Sequence, residues 1–161
     1  MIENASLLSK HITHGVYVIA VANGAEQNAF TAAWVMQVSF APPMLAFSIN
    51  PKHYSYKLLK EGGECTVNVL GQDHLAIAAH FGSPGVKEKM TTYPWRKGKT
   101  LAPVLADSLV YFDCKLDHLT EAGSHMIAVC EVIGADELNS GWPLLYAQTG
   151  TMDNSSELYK R

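Results

Sequence analysis

The chain has 161 residues, of which 48% are apolar and 17% charged, and its formal net charge is −3. That is the length of one domain, with enough apolar side chains for a real core. The mild negative charge offers no basic surface for nucleic acid or an anionic membrane, and no run approaches the ~18 apolar residues of a membrane-spanning helix.

Residues 4–11 read as a short helix, and the first fourteen residues carry no signal-peptide pattern. GVYVIAVA (15–22) is an apolar, β-branched run, and NGAEQN (23–28) reads as a turn or hairpin loop. FTAAWVM follows as a second strand. Alternate residues from Phe30 to Phe40 are apolar, and those between them are small or polar. That alternation predicts a strand with one buried face. Pro42 and Pro43 interrupt it, because proline removes ladder donors. MLAFSIN (44–50) is the next strand, and HYSYKLLKEGG (53–63) reads as a helix stopped by glycine. ECTVNVL (64–70) is again a strand. Asp73 is the expected N-cap of a helix over 73–82. Residues 83–102 form a Pro-, Gly-, Lys- and Thr-rich excursion with a short helix expected near residues 86–90. Long strands are expected within 103–121 and 124–138, and PLLYAQTG (143–150) closes the fold. Residues 1–150 are expected to form one domain, and 151–161 a flexible tail.

Six or seven strands with two or three short helices predict a mainly β fold. The spacing favours a closed or nearly closed antiparallel barrel. The three cysteines, Cys65, Cys114 and Cys130, are an odd number and far apart in sequence. They suit free thiols in a reducing, cytoplasmic setting.

The chain has no Gly-x-Gly-x-x-Gly after its first strand, no Walker loop, no His-Glu-x-x-His, no Cys-x-x-Cys and no Gly-x-Ser-x-Gly elbow. His11 and His14 share a spacing but lack an obvious third ligand, so no metal is expected. Chemistry is expected to come from an organic cofactor.

The stretch NAFTAAWVMQVSFAPPMLAFSIN (28–50), flanked by GVYVIAVA, CTVNVL, HFG (80–82), PVLADSLVYFDCKL and GSHMIAVCEV, resembles the flavin reductase-like family of FMN-binding split barrels. The wording is nearest the flavoredoxin and flavodiiron-type reductase branch. The resemblance implies a Greek-key split β-barrel, an FMN cofactor and a homodimer. It also implies an NAD(P)H:flavin oxidoreductase that accepts hydride at flavin N5 from NADH or NADPH, then passes electrons to free flavin or a partner protein. An FMN-binding electron-transfer protein reduced by a protein partner is the alternative. Where family members often have Gly-Asp-His, this chain has Gly123-Ser124-His125, and Cys130 replaces a glycine. Both departures fall near the place where a nicotinamide would enter.

The implied site is spread along the chain. Thr31, Ala32, Ala33 and Trp34 would follow the flavin edge, where small residues permit close backbone approach. The parity of Trp34, Met36 and Phe40 also suits core or subunit interface. Gln37, Val38 and Ser39, near the turn into the prolines, would supply donors. Ser48, Ile49 and Asn50, then His53, Tyr54 and Ser55 at a helix start, would hold the ribityl chain or phosphate. Lys52, Lys57, Lys87 and Lys89 could add charge. Phe81 would wall the ring, and His125 would orient the donor, with Tyr146 closing the same mouth. Tyr93 and Trp95 would cover the pocket or the partner chain. His14, His74 and His118 have no context that lifts them above loop histidines.

Overall fold

The computed structural model describes residues 4–84 and 88–150. The expected helix at 86–90 lies partly, and the tail at 151–161 and Lys87 wholly, outside those residues. The elements are α1 (Ala5–Ser9), β1 (Tyr17–Asn23), β2 (Glu26–Ala32), β3 (Val35–Phe40), β4 (Pro43–Ile49), α2 (Tyr54–Gly62), β5 (Glu64–Val69), α3 (Leu75–Gly82), β6 (Trp95–Arg96), β7 (Val104–Leu105), β8 (Val110–Ala122) and β9 (His125–Glu137). A 3₁₀ turn follows at Tyr146–Gln148.

Seven strands form one antiparallel sheet in the order β2-β1-β5-β8-β9-β4-β3, and β6 pairs with β7 alone. This corrects the expected barrel: the sheet is open, with β2 and β3 as its two edges. Closure would require those edges to exchange backbone hydrogen bonds. Instead the chain leaves the ladder at Ala33 and Trp34, and the Trp34 carbonyl accepts the Ser48 amide at 3.0 Å. β2 meets α3, where the Thr31 hydroxyl donates to the Ala78 carbonyl at 2.6 Å.

Alternation explains β1. Its run is buried on both faces because Ile19 and Val21 enter one core while Val18 and Ala20 enter another. The first core adds Phe47, Ile49, Leu58, Leu59 and the three cysteines. The second adds Leu70, Ile77, Ala78, Phe81, Leu105 and Leu144. Helix α2 stops where Gly63 takes a left-handed φ of 71° and its amide bonds the Leu59 carbonyl at 2.8 Å.

Other boundaries differ from expectation. The 23–28 loop is a tight turn, since β1 and β2 pair through to Asn23 and Glu26. The cap of α3 is His74 rather than Asp73, and its side chain makes no capping bond. Its Nδ1 accepts the Gly71 amide at 2.8 Å instead. Buried polar groups pin the 97–105 segment. The Asp113 carboxylate accepts the Lys99 and Thr100 amides, at 2.5 and 3.0 Å, and the Thr100 hydroxyl at 2.6 Å. Gly98 is required there, because a Cβ would run into that carboxylate. Asn68 accepts the Leu105 amide at 2.9 Å. No helix among the described residues is long and apolar enough to cross a membrane.

Candidate functional site

A small, open cleft of about 90 Å³ lies where the end of β2, the end of α3 and the 3₁₀ turn meet. Thr31, Ala32 and Ala33 form one side, Ala78 and Gly82 another, and Val16, Tyr146 and Thr149 the third. Sequence order explains the shape. β2 runs out of ladder at Ala32, α3 ends at Gly82, and the isolated bridge of Gly15 to Leu145 brings the C-terminal turn alongside.

The lining is neutral and small. The Thr31 hydroxyl is tied to the Ala78 carbonyl, and the Thr149 hydroxyl donates to the Tyr146 carbonyl at 2.7 Å. A Cβ at Gly82 would stand 3.7 Å from the Thr31 Cβ, so a longer side chain there would fill the space. The edge of a flat, uncharged ring system fits such a slot. An anionic group does not, and would have to extend beyond it.

The expected site residues divide into separate places. Thr31, Ala32, Ala33 and Tyr146 line the cleft. Trp34 is not part of that lining and meets His125, with ring centroids 5.3 Å apart at 58°. Ser48 lies beside them through its bond to the Trp34 carbonyl. Gln37, Val38 and Ser39 are not at a turn but within β3, where the register shift between Gln37 and Ser39 makes Val38 a bulge residue. Gln37 and Val38 are exposed.

Ile49 and Phe81 are buried in the two cores. Phe81 packs on Tyr93 and Trp95 rather than on the cleft, and His80 joins the same aromatic group. Tyr93 and Trp95 thus back the wall rather than cover the opening. Asn50 accepts the Lys52 amide at 2.9 Å through its side chain. His53 caps α2 without a side-chain bond. The Ser55 hydroxyl is buried and accepts from Asn28 at 3.0 Å, while the Tyr54 hydroxyl donates to Glu26 at 2.5 Å. That bond, then desolvation and the Glu26 and Glu61 charges, raise the Tyr54 pKa. Lys89 is partly buried, which lowers its ammonium pKa.

Val16, Ala78, Gly82 and Thr149 are lining residues that sequence reasoning does not single out. None has a polar motif to mark it. Only the HFG corner at 80–82 points to that part of the chain.

Residues 9–155 match the family described as the flavin reductase like domain. The chain belongs to the flavin reductase-like family. It is 34% identical over 138 residues to an FMN reductase (NADH), RutF 1, of Methylorubrum extorquens, an alignment that covers 85% of this chain and 69% of that relative. The solved structure of the flavin reductase HpaC complexed with NADP+ superposes with a TM-score of 0.81 at 25% identity, covering 92% of this chain and 95% of that one. The NADH:FAD oxidoreductase SgcE6 of Streptomyces globisporus, in complex with NAD and FAD fragments, gives 0.78 at 25% identity, covering 86% and 83%. This flavin reductase-like chain is accordingly an oxidoreductase, and its cleft is the place to ask how a flavin would be held.

Proposed function

We propose that the chain is an FMN-dependent NAD(P)H:flavin oxidoreductase whose isoalloxazine ring lies in the cleft edged by Thr31, Ala32, Ala33 and Gly82. The observation that carries this reading is the neutral, small-residue lining of that cleft in a member of this family. When bound, the flavin supplies the redox chemistry, taking hydride at N5 from NADH or NADPH and releasing electrons to free flavin or an acceptor protein.

The chain's own residues bind, orient and exclude water. The Ala32 and Ala33 backbone lets a ring approach closely, and Tyr146 closes the third side. Ser48, Asn50 and the uncapped first turn of α2 at His53 form the polar end for a ribityl phosphate, with Lys52 adding positive charge. The hydroxyls of Tyr54 and Ser55 are already engaged and add little. Trp34 and His125 form the donor side. Hydride transfer depends above all on alignment, so His125 orients and is not needed as a base.

The relative's name specifies NADH and HpaC was solved with NADP+, so either dinucleotide is a reasonable donor. A second copy of the chain is the proposed partner. Trp34, Met36, Val38 and Phe40 form an exposed apolar row along β3 and its lead-in, and Gln37, Val38 and Ser39 belong to that interface rather than to the ring. Three free, buried thiols suit a cytoplasmic setting.

Anaerobic titration of the FMN-loaded protein with NADH and with NADPH tests the reading. The flavin band near its visible maximum should bleach with at least one of them. Firm FMN binding with no bleaching by either would instead make this a carrier reduced by a protein donor.

A further inference from the structure

His125 opens β9, and three features converge on its ring. The Ser124 side-chain oxygen lies 2.9 Å from His125 Nδ1. The Trp34 ring lies against the imidazole at 5.3 Å and 58°. Among the described residues, Nε2 has no hydrogen-bond partner. An imidazole tied at one nitrogen and supported by an aromatic ring is held in orientation, and its second nitrogen is left for a ligand.

Trp34 brings this group to the cleft. It follows Ala33, which lines the cleft, and its carbonyl is fixed by the Ser48 amide. Its side chain is 46% exposed, so core packing alone does not hold the indole.

We infer that Ser124 is a positioning residue for the electron donor: its hydroxyl, with the Trp34 indole as second support, holds the His125 ring so that Nε2–H is offered to an acceptor oxygen of the nicotinamide dinucleotide. This inference rests on the reading of the cleft as a flavin site. The direction of the Ser124 bond decides the chemistry. A hydroxyl is able to donate to Nδ1, and the neutral ring then carries its proton on Nε2. A carboxylate at position 124 only accepts, which puts the proton of a neutral ring on Nδ1 and leaves Nε2 bare. Serine is therefore the kind of residue that lets a neutral His125 donate. The bond is made to bound donor and transition state alike, so its loss belongs in KM rather than kcat.

The test compares wild type, S124A and S124T as full chains loaded with FMN. Steady-state kinetics use the dinucleotide that bleaches wild type, alongside FMN affinity and Tm. S124A should raise the dinucleotide KM about three- to tenfold, the range one neutral hydrogen bond supports. Its kcat should stay within about twofold, with FMN affinity and Tm unchanged, and S124T should restore KM. An unchanged KM in S124A overturns the inference. So does an equal loss of FMN affinity or Tm, or a failure of threonine to rescue. A wild type that bleaches with neither dinucleotide overturns the reductase reading itself, and this inference with it.

Discussion

Gly82 ends α3 facing Thr31 across the cleft, and its backbone has no left-handed φ. A larger residue is therefore a steric change in the cleft, without backbone strain. Gly82→Leu should weaken FMN binding by at least about tenfold while leaving Tm near wild type, because a branched side chain fills the slot. Gly82→Ala should bind FMN almost normally, since its Cβ would make only ordinary contact. Fluorescence quenching of FMN on binding reads both. Cys65 carries a different kind of effect. The neighbouring Cys114 and Cys130 thiols, then burial, hold its thiol well above its ordinary value of 9.0. In the unfolded chain that thiol ionises first, so the unfolded state loses its proton and gains stability as pH rises. The contribution is intact below pH 9.0 and falls away above it, by at most about 1.4 kcal/mol per pH unit. Denaturant unfolding between about pH 8 and 10.5 should show a steeper alkaline loss in wild type than in Cys65→Ala, with roughly the one-proton slope as the difference.

β3 shows what periodicity can and cannot say about an element. Its alternation marks extended chain, but the single strand expected over 30–36 is broken between Ala32 and Val35, and the parity of the core-facing residues changes across the break. Alternation alone predicts the apolar face inside. Phe30 and Ala32 do pack on the first core, but Met36 is 62% exposed and Phe40 89%. The chain breaks at Ala33 and Trp34, and the β-bulge at Val38 shifts the register again, so one run of sequence serves two edge strands with different surroundings. An exposed apolar edge strand is costly in a lone molecule, which is why a second copy is the proposed cover. Phe40→Asp should weaken self-association by roughly thirtyfold or more, the loss expected of one interface anchor. Sedimentation velocity across a dilution series would register it, and a wild type that is monomeric throughout would remove the proposed interface. The helices are more legible. α2 lies at 54–62, within the span 53–63 that the sequence predicts, because its glycine stop is a local signal. The cap of α3 is not legible, because His74 makes its bond to Gly71 instead.

At the scale of the molecule, α3 and a C-terminal turn meet the end of β2, and the cleft is what they leave between them. Most of its walls are made of Ala, Gly, Val and Thr, residues too ordinary to mark themselves in a sequence. A flavin held there binds the folded chain alone and raises its stability by mass action. FMN at about one hundred times its Kd should add about 2.7 kcal/mol, seen as a Tm increase that grows with FMN concentration. Riboflavin, which lacks the phosphate, should give a smaller shift if the α2 start holds that group.

The sequence by itself determined the mainly β character, the helix stop at Gly63 and the family, because these follow from local patterning and a motif spanning most of the chain. Tertiary structure decided the rest. An open sheet and a closed barrel can share the same alternation, since closure depends on whether β2 and β3 exchange backbone hydrogen bonds, and here they do not. The same holds for the groups brought together from distant segments: Trp34 with His125, Thr31 with Ala78, and Cys65 with Cys130, whose sulfurs lie 3.7 Å apart. Periodicity says which face a side chain takes, but only the packed chain says what that face meets.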